Sequence, residues 1–190
     1  MRNAGWKWTD ALEKLKAGNQ RYLNADVSCA DISRAARGRT YENGQSPYAV
    51  VVACSDSRVI PESIFSAGIG DLFVIRVAGN VIGDHQLGSI AYAIEHLGCR
   101  LTVVLGHTRC GAVAAAMEGD PGGFIRSVTE EIRLAIGEEK DDYRAGCLNV
   151  RRSAERIKRS LGIADGGGGE LRVLEAMYHT DSGLVEFLSE

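Results

Sequence analysis

Tyr48-Ala49-Val50-Val51-Val52-Ala53 is an unbroken apolar run rich in β-branched residues. A run of this length, with no polar alternation, reads as a strand buried on both faces. Such a strand is stable only inside a sheet that other layers cover, which constrains the fold more than any other feature of the chain. Leu72-Phe73-Val74-Ile75-Arg76-Val77 and Leu101-Thr102-Val103-Val104-Leu105 repeat the pattern. Residues 170–178 and 183–188 read as two further strands, joined by a turn at Thr180-Asp181-Ser182-Gly183. Helical patterns fall between them at 61–67, 86–98, 111–118, 122–138 and 142–162. Strands alternating with helices predict an α/β fold. The expected architecture is a central mainly parallel sheet with an antiparallel edge strand and helices on both faces.

Ahead of the first strand, residues 6–24 read as an amphipathic helix. Trp8, Leu12, Leu15, Asn19 and Tyr22 fall at helical spacing, with Thr9 or Asp10 as its cap. Residues 25–46 are polar and carry Arg34, Arg37 and Arg39, a pattern for a loop that holds at most a short helix. Residues 1–46 are therefore expected to form an N-terminal helical arm and loop of a single domain, 1–190. Trp6 and Trp8 make this helix a candidate to pack on a partner subunit. Gly166 to Gly169 reads as a flexible connector, since no Lys-Ser/Thr follows to make it a phosphate loop.

With 190 residues the chain can bury a sizeable core without disulfides. Lys plus Arg number 22 against 25 Asp plus Glu, a net charge of −3. That balance argues against a nucleic-acid or anionic-membrane partner, which would call for a basic excess. No stretch approaches the ~18 apolar residues of a membrane span, and Met1 to Asp10 holds no signal-peptide core. Five cysteines, not spaced as a secreted framework, fit a reducing cytoplasm with thiols free for metal or catalysis.

Two motifs carry the chemistry. Cys54-Ser55-Asp56-Ser57-Arg58 follows the first buried strand, and Gly106-His107-Thr108-Arg109-Cys110-Gly111 follows the third and opens an Ala-rich helix. Sites in open parallel sheets form beyond the carboxyl ends of strands, so the two segments are expected side by side. Cys54, His107 and Cys110 make a set of two thiolates and one imidazole with a fourth position open, which suits catalytic zinc. Taken singly, each has a plainer reading: a buried Cys is most often a small core hydrophobe, and a His after a strand a turn residue. Both motifs on adjacent strand ends favour the metal. Asp56 and Arg58, two apart on an extended segment, are expected on one face, where the Arg fork holds the carboxylate ionised. An ordinary surface ion pair is the plainer alternative. Cys29, Cys99 and Cys147 read as bystanders.

At these residues the chain resembles the β-class carbonic anhydrases. The resemblance runs through Gly44-Gln45-Ser46-Pro47, Cys54-Ser55-Asp56-Ser57-Arg58, Gly70-Asp71-Leu72-Phe73 and Arg76-Val77-Ala78-Gly79-Asn80. It continues through Ile94-Glu95-His96-Leu97-Gly98 and Gly106-His107-Thr108-Arg109-Cys110-Gly111. It is dense over residues 12–116 and weaker from Leu148 onward. It implies one Zn²⁺ per chain on Cys54, His107 and Cys110, with the catalytic Asp56–Arg58 dyad gating the fourth position. It also implies a substrate pocket involving Gln45, Phe73, Ala78, Tyr92 and Gly111, at a dimer interface within a homodimer or a dimer of dimers (homotetramer). The implied activity is that of a zinc lyase, carbonate dehydratase: reversible hydration of CO₂ to bicarbonate and a proton by a zinc-held hydroxide. One departure stands out. Some bacterial members carry a Trp of a non-catalytic bicarbonate site where this chain has Val51, so inhibition through that pocket, with Arg76 as its Arg, is not expected.

Three other readings of the same residues remain: a COS or CS₂ hydrolase on the same zinc core, a non-catalytic zinc module, and a redox-sensing thiol protein. Asp56 and Arg58 count against the zinc module, because a structural site does not need the dyad. For proton export the sequence offers His85, His96 and His179 and does not choose among them.

Overall fold

Val50, Val51 and Val52 are completely buried, because the strand they form, β1 (Ala49–Ala53), has a strand on each side and helices above and below. This is seen in a computed structural model of the chain, which describes residues 5–25, 27, 30–119, 121–163 and 170–188. The sheet has five strands in the order β2-β1-β3-β4-β5. They are β1, β2 (Leu72–Arg76), β3 (Leu101–His107), β4 (Arg172–Tyr178) and β5 (Val185–Phe187). All pairings are parallel except β4 with β5, the antiparallel edge. The expected fold class therefore holds, and each predicted strand lies within two residues of its observed bounds. The third extends to His107 because it continues to pair with β4 through His107 and Tyr178.

Around the sheet run α1 (Trp8–Leu23), α2 (Arg34–Asn43), α3 (Pro61–Ile64), α4 (Asp84–Glu95), α5 (Gly111–Glu118), α6 (Arg126–Ile136) and α7 (Asp142–Leu161). On one face Ala11, Leu12 and Leu15 of α1 join Val51, Ala53, Val103, Leu105 and Leu174 in a continuous core. On the other, Ile90 and Ala93 of α4 and Val150, Ala154 and Ile157 of α7 pack on Val50, Val52, Val104 and Met177. A third cluster, with Val113, Ile132 and Ala145, walls in Cys54 and Cys110.

Several local expectations change. The N-cap of α1 is Lys7, not Thr9 or Asp10, which lie inside the first turn. The apolar stripe of α1 packs on its own sheet, and Trp6 stays partly exposed beside Tyr48. Residues 25–46 hold a ten-residue helix, α2, capped by Ser33, whose hydroxyl accepts the Ala36 N–H. The helix expected over 122–138 begins at Arg126, after a 3₁₀ turn at Gly123–Ile125. The Gly166–Gly169 connector and Cys29 lie outside the described residues, as do Met1 to Ala4. Among the described residues, no helix is long and apolar enough to cross a membrane.

From β1 the chain crosses to β2 on one side, and from β3 it proceeds to β4 on the other. The loops leaving the carboxyl ends of β1 and β3 thus diverge and open a crevice between them.

Candidate metal centre

The crevice holds Cys54, His107 and Cys110. Their ligand-capable atoms all lie within 4.8 Å of one another, and all three residues are buried. The register explains the meeting: Ala53 pairs with Leu105, so Cys54, the first residue beyond β1, lies beside the Gly106-His107 end of β3. Cys110 reaches the same point as the N-cap residue of α5. The Cys54 and Cys110 sulfurs are 4.0 Å apart, near the ~3.8 Å that two sulfurs at about 2.3 Å from a tetrahedral zinc would subtend.

The imidazole supplies the test of whether a metal fits. His107 Nδ1 lies 3.0 Å from the Thr108 carbonyl. A carbonyl only accepts, so Nδ1 carries the proton and Nε2 presents a bare lone pair. That Nε2 is buried and has no hydrogen-bond partner among the described residues. An orphaned buried nitrogen beside two buried thiols is costly without a ligand. Zinc on the three atoms would satisfy it, and the donor set of two sulfurs and one nitrogen matches that ion.

The thiols are prepared unequally. Cys54 Sγ accepts the backbone N–H groups of Asp56 at 3.4 Å and Gly79 at 3.3 Å. A hydrogen bond from the Cys110 thiol, with smaller help from those two N–H groups, pulls the Cys54 thiol well below its ordinary value against the opposing effect of burial. Cys110 moves the opposite way, because it donates to the Cys54 thiolate and is itself buried. Two unscreened thiolates this close repel each other, and a divalent cation removes that conflict.

Asp56 stands at the open side of the cluster, with Oδ2 3.9 Å from His107 Nε2. Arg58 grips both of its oxygens, Nε to Oδ1 at 2.9 Å and Nη2 to Oδ2 at 2.8 Å. The Arg58 backbone N–H also donates to Oδ1 at 2.9 Å. The pair therefore sits on a tight Asx-type turn, not on the extended segment expected from its spacing; the carboxylate bends the chain back on itself. Arg58 beside Asp56 holds its carboxyl far below the usual carboxylate range, with burial opposing and the Arg58 N–H assisting.

Other residues hold these groups in place. Arg76 donates to the Cys54 carbonyl at 3.1 Å and the Asp56 carbonyl at 2.7 Å. Its guanidinium is thus committed to the first motif's loop, while Val51 is fully buried in the core. From α7, Asn149 donates to the Gly79 carbonyl at 2.7 Å and Ser153 to the Asn80 carbonyl at 3.1 Å. Gly79 has φ +64°, and a Cβ there would lie 2.7 Å from Ile132 Cδ1, so only glycine fits the turn that presents its N–H to Cys54. Asn149 and Ser153 escaped the sequence reading. Their signal was present as two polar residues on the otherwise small and apolar inner face of α7.

The remaining expected site residues divide. Ala78 opens the turn next to Gly79, and Gly111 opens α5 directly after Cys110. Gln45, Phe73 and Tyr92 lie elsewhere in the same chain. Phe73 pairs with Val50, four residues short of Cys54, or about 13 Å along the strand at ~3.3 Å per residue. Tyr92 on α4 is 48% exposed, with its ring 6.3 Å from that of Phe73. Gln45, exposed, precedes the start of β1. His85 is exposed on α4, His96 lies against Tyr92, and His179 is 3.1 Å from Glu186. Cys99 is buried and its thiol lies 3.4 Å from the Pro47 carbonyl, and Cys147 packs at the edge of the second core cluster. Neither belongs to the metal cluster.

Comparison with known proteins bears directly on this centre. The carbonic anhydrase family profile matches residues 49–185. The chain belongs to the β-class carbonic anhydrase family. It is 37% identical to a carbonic anhydrase of Mycolicibacterium smegmatis, over 98% of this chain and 93% of that one. It is 38% identical to carbonic anhydrase 2 of Mycobacterium tuberculosis, over 95% of this chain and 89% of that one. Among solved structures, a Coccomyxa β-carbonic anhydrase in complex with acetazolamide superposes with TM-score 0.70 at 26% identity, covering 82% of this chain and 80% of that one. A β-carbonic anhydrase of Aspergillus fumigatus superposes with TM-score 0.68 at 28% identity, covering 80% and 79%.

Proposed function

We propose that this β-class carbonic anhydrase catalyses the zinc-dependent, reversible hydration of CO₂ to bicarbonate and a proton. The observation that carries the reading is the unpartnered, buried Nε2 of His107, facing two thiols and lying 3.9 Å from a carboxylate that Arg58 keeps fixed. Relatives at 37% and 38% identity over nearly the whole chain are carbonic anhydrases.

Cys54, His107 and Cys110 would hold one Zn²⁺ per chain. Bound there, zinc supplies a Lewis acid that makes water acidic enough to yield a nucleophile near neutral pH. Asp56, ionised and clamped, accepts a hydrogen bond from the reacting water and so turns an oxygen lone pair toward CO₂. Arg58 keeps Asp56 from swinging onto the metal itself. Val113, Ile132 and the other apolar neighbours of the two thiols limit bulk water at the ligands. The charge of −3 suits a small neutral substrate that needs no electrostatic steering.

We further propose that residues 1–190 act as one domain and that a second copy of the chain completes the substrate pocket. Gln45, Phe73 and Tyr92 are then the partner's contribution, which their distance from Cys54 in a single chain supports. A reducing cytoplasm belongs to this reading, because a thiolate pair holds zinc only while its sulfurs stay reduced. Stopped-flow CO₂ hydration with COS and CS₂ hydrolysis in parallel, on protein of measured zinc content, tests the function. One zinc per chain with CO₂ turnover is expected. Zinc without CO₂ turnover at pH 8 or above overturns it, and turnover of COS or CS₂ instead moves the chain to the sister chemistry.

A further inference from the structure

Asp141 and Asp142 both stand at the start of α7, but they do different things. Asp141 is the N-cap, its side chain accepting the Arg144 N–H at 2.8 Å. The helix terminus is thereby served, and Asp142 is free to turn outward. Its Oδ2 accepts the backbone N–H of Arg109 at 3.0 Å, across 33 positions of sequence. Arg109 is the residue between the His107-Thr108 pair and Cys110, and it has φ +55°, a left-handed conformation that a non-glycine residue adopts only when held there. The carbonyl of the same Arg109 accepts Arg58 Nη2 at 3.0 Å. Arg58 in turn holds both oxygens of Asp56.

We propose that Asp142 is a positioning residue for Asp56, acting through the Arg109 peptide and Arg58. The inference rests on the zinc-enzyme reading above. Asp142, Asn149 and Ser153 are spaced 7 and 11 residues along α7, which places all three on one helix face. That face grips both walls of the crevice: Asp142 the His107–Cys110 loop, Asn149 and Ser153 the turn that donates to Cys54. Because Ala145, Val150, Ala154 and Ile157 of the same helix are completely buried, α7 is a rigid member to hang the two loops from. Without the Asp142 contact, Arg109 is released to right-handed or extended backbone, its carbonyl turns away from Arg58, and the Arg58 fork loses the third point that fixes its direction. Asp56 is then free to rotate toward the metal.

The test is a double-mutant cycle of Asp142→Ala and Arg58→Ala on the full-length protein, read by kcat/KM and by the visible absorption of the cobalt(II)-substituted form. Asp142→Ala is expected to lower kcat/KM about tenfold to a hundredfold while one metal per chain is kept. In the Arg58→Ala background the same substitution should change it by no more than about twofold. The cobalt bands, which report the ligands around the metal, should shift in Asp142→Ala toward those of Arg58→Ala. Asp142→Asn, which keeps an oxygen acceptor, should recover most of both losses. Equal factors in the two backgrounds, or a cobalt spectrum unchanged in Asp142→Ala, overturn the proposal. Should Asp142→Ala not fold, Asp142→Ser, too short to reach Arg109 but at home at a helix start, replaces it in the cycle. If the unsubstituted protein does not hydrate CO₂, the functional reading fails, and the cobalt arm still decides the role of Asp142.

Discussion

Arg58 and Asp56 form a closed two-point clasp, with Nε 2.9 Å from Oδ1 and Nη2 2.8 Å from Oδ2. The pair is partly solvent-exposed, with the Arg58 side chain 50% accessible and that of Asp56 19%, so it adds little to stability. Its value lies in direction: it keeps a carboxylate pointed at the open side of the metal cluster. Arg58→Ala and Asp56→Asn should therefore each lower kcat/KM by about a hundredfold. Both should leave the zinc content at one per chain and the melting temperature nearly unchanged. Stopped-flow CO₂ hydration, metal analysis and thermal melts check the three parts.

Metal loss should act on the fold as well as on activity. The cluster joins the loop after β1 to the end of β3 and the loop beyond it, and its buried His107 Nε2 has no hydrogen-bond partner among the described residues. Cys110→Ser and His107→Ala should weaken zinc binding by tenfold or more, and chelation of the unsubstituted protein should lower its melting temperature. Competition with a chromophoric chelator measures the first and calorimetry with and without chelator the second.

Burial pushes the Cys99 thiol up to about 11 from an ordinary 9.0. The folded chain therefore keeps this proton where the unfolded chain has lost it. The contribution of Cys99 to stability is complete below pH 9 and is lost as pH rises through about 11. Cys99→Ala should flatten that alkaline decline and cost about 1 kcal/mol or less at pH 7. Denaturant unfolding at pH 8, 9 and 10.5 reads the difference. The opposite sign holds for Asp56, whose depressed value makes its small contribution present above the ordinary carboxylate range and lost only in strong acid.

Gly18 lies where α1 crosses the end of α3, and a Cβ on it would overlap the Phe65 carbonyl oxygen. Since that obstacle is backbone, it cannot step aside. Gly18→Ala should destabilise the protein by about 3 kcal/mol and leave zinc stoichiometry intact in whatever folds. Guanidinium unfolding with metal analysis separates the two effects.

The site was legible in proportion to how local its chemistry is. Cys54 directly follows one buried strand and the His107-x-x-Cys110 pair starts at the last residue of another, and parallel neighbours must bring such ends together. Asp56 and Arg58 were recognised as partners, but their turn was not, since a spacing of two fits an extended segment as well as an Asx turn; the hydrogen bond from the Arg58 N–H decides it. Asp142, Asn149 and Ser153 were missed entirely. Their partners Arg109, Gly79 and Asn80 lie 33 to 73 positions away, and no periodicity within a helix records what its polar residues will meet.

The sequence by itself determined the layered α/β class, the buried middle strands and the residues able to hold zinc. Those follow from apolar runs too dense for a half-exposed strand and from donor types that few ions suit. Only the tertiary structure decided that His107 presents Nε2 and not Nδ1, that Arg58 closes on Asp56 with the help of the Arg109 carbonyl, and that α7 ties the two ligand loops together. It also separated Phe73 and Tyr92 from the thiols of their own chain. The reason is physical: hydropathy and spacing encode which residues leave water, whereas the direction of a hydrogen bond exists only once packing has fixed both of its ends.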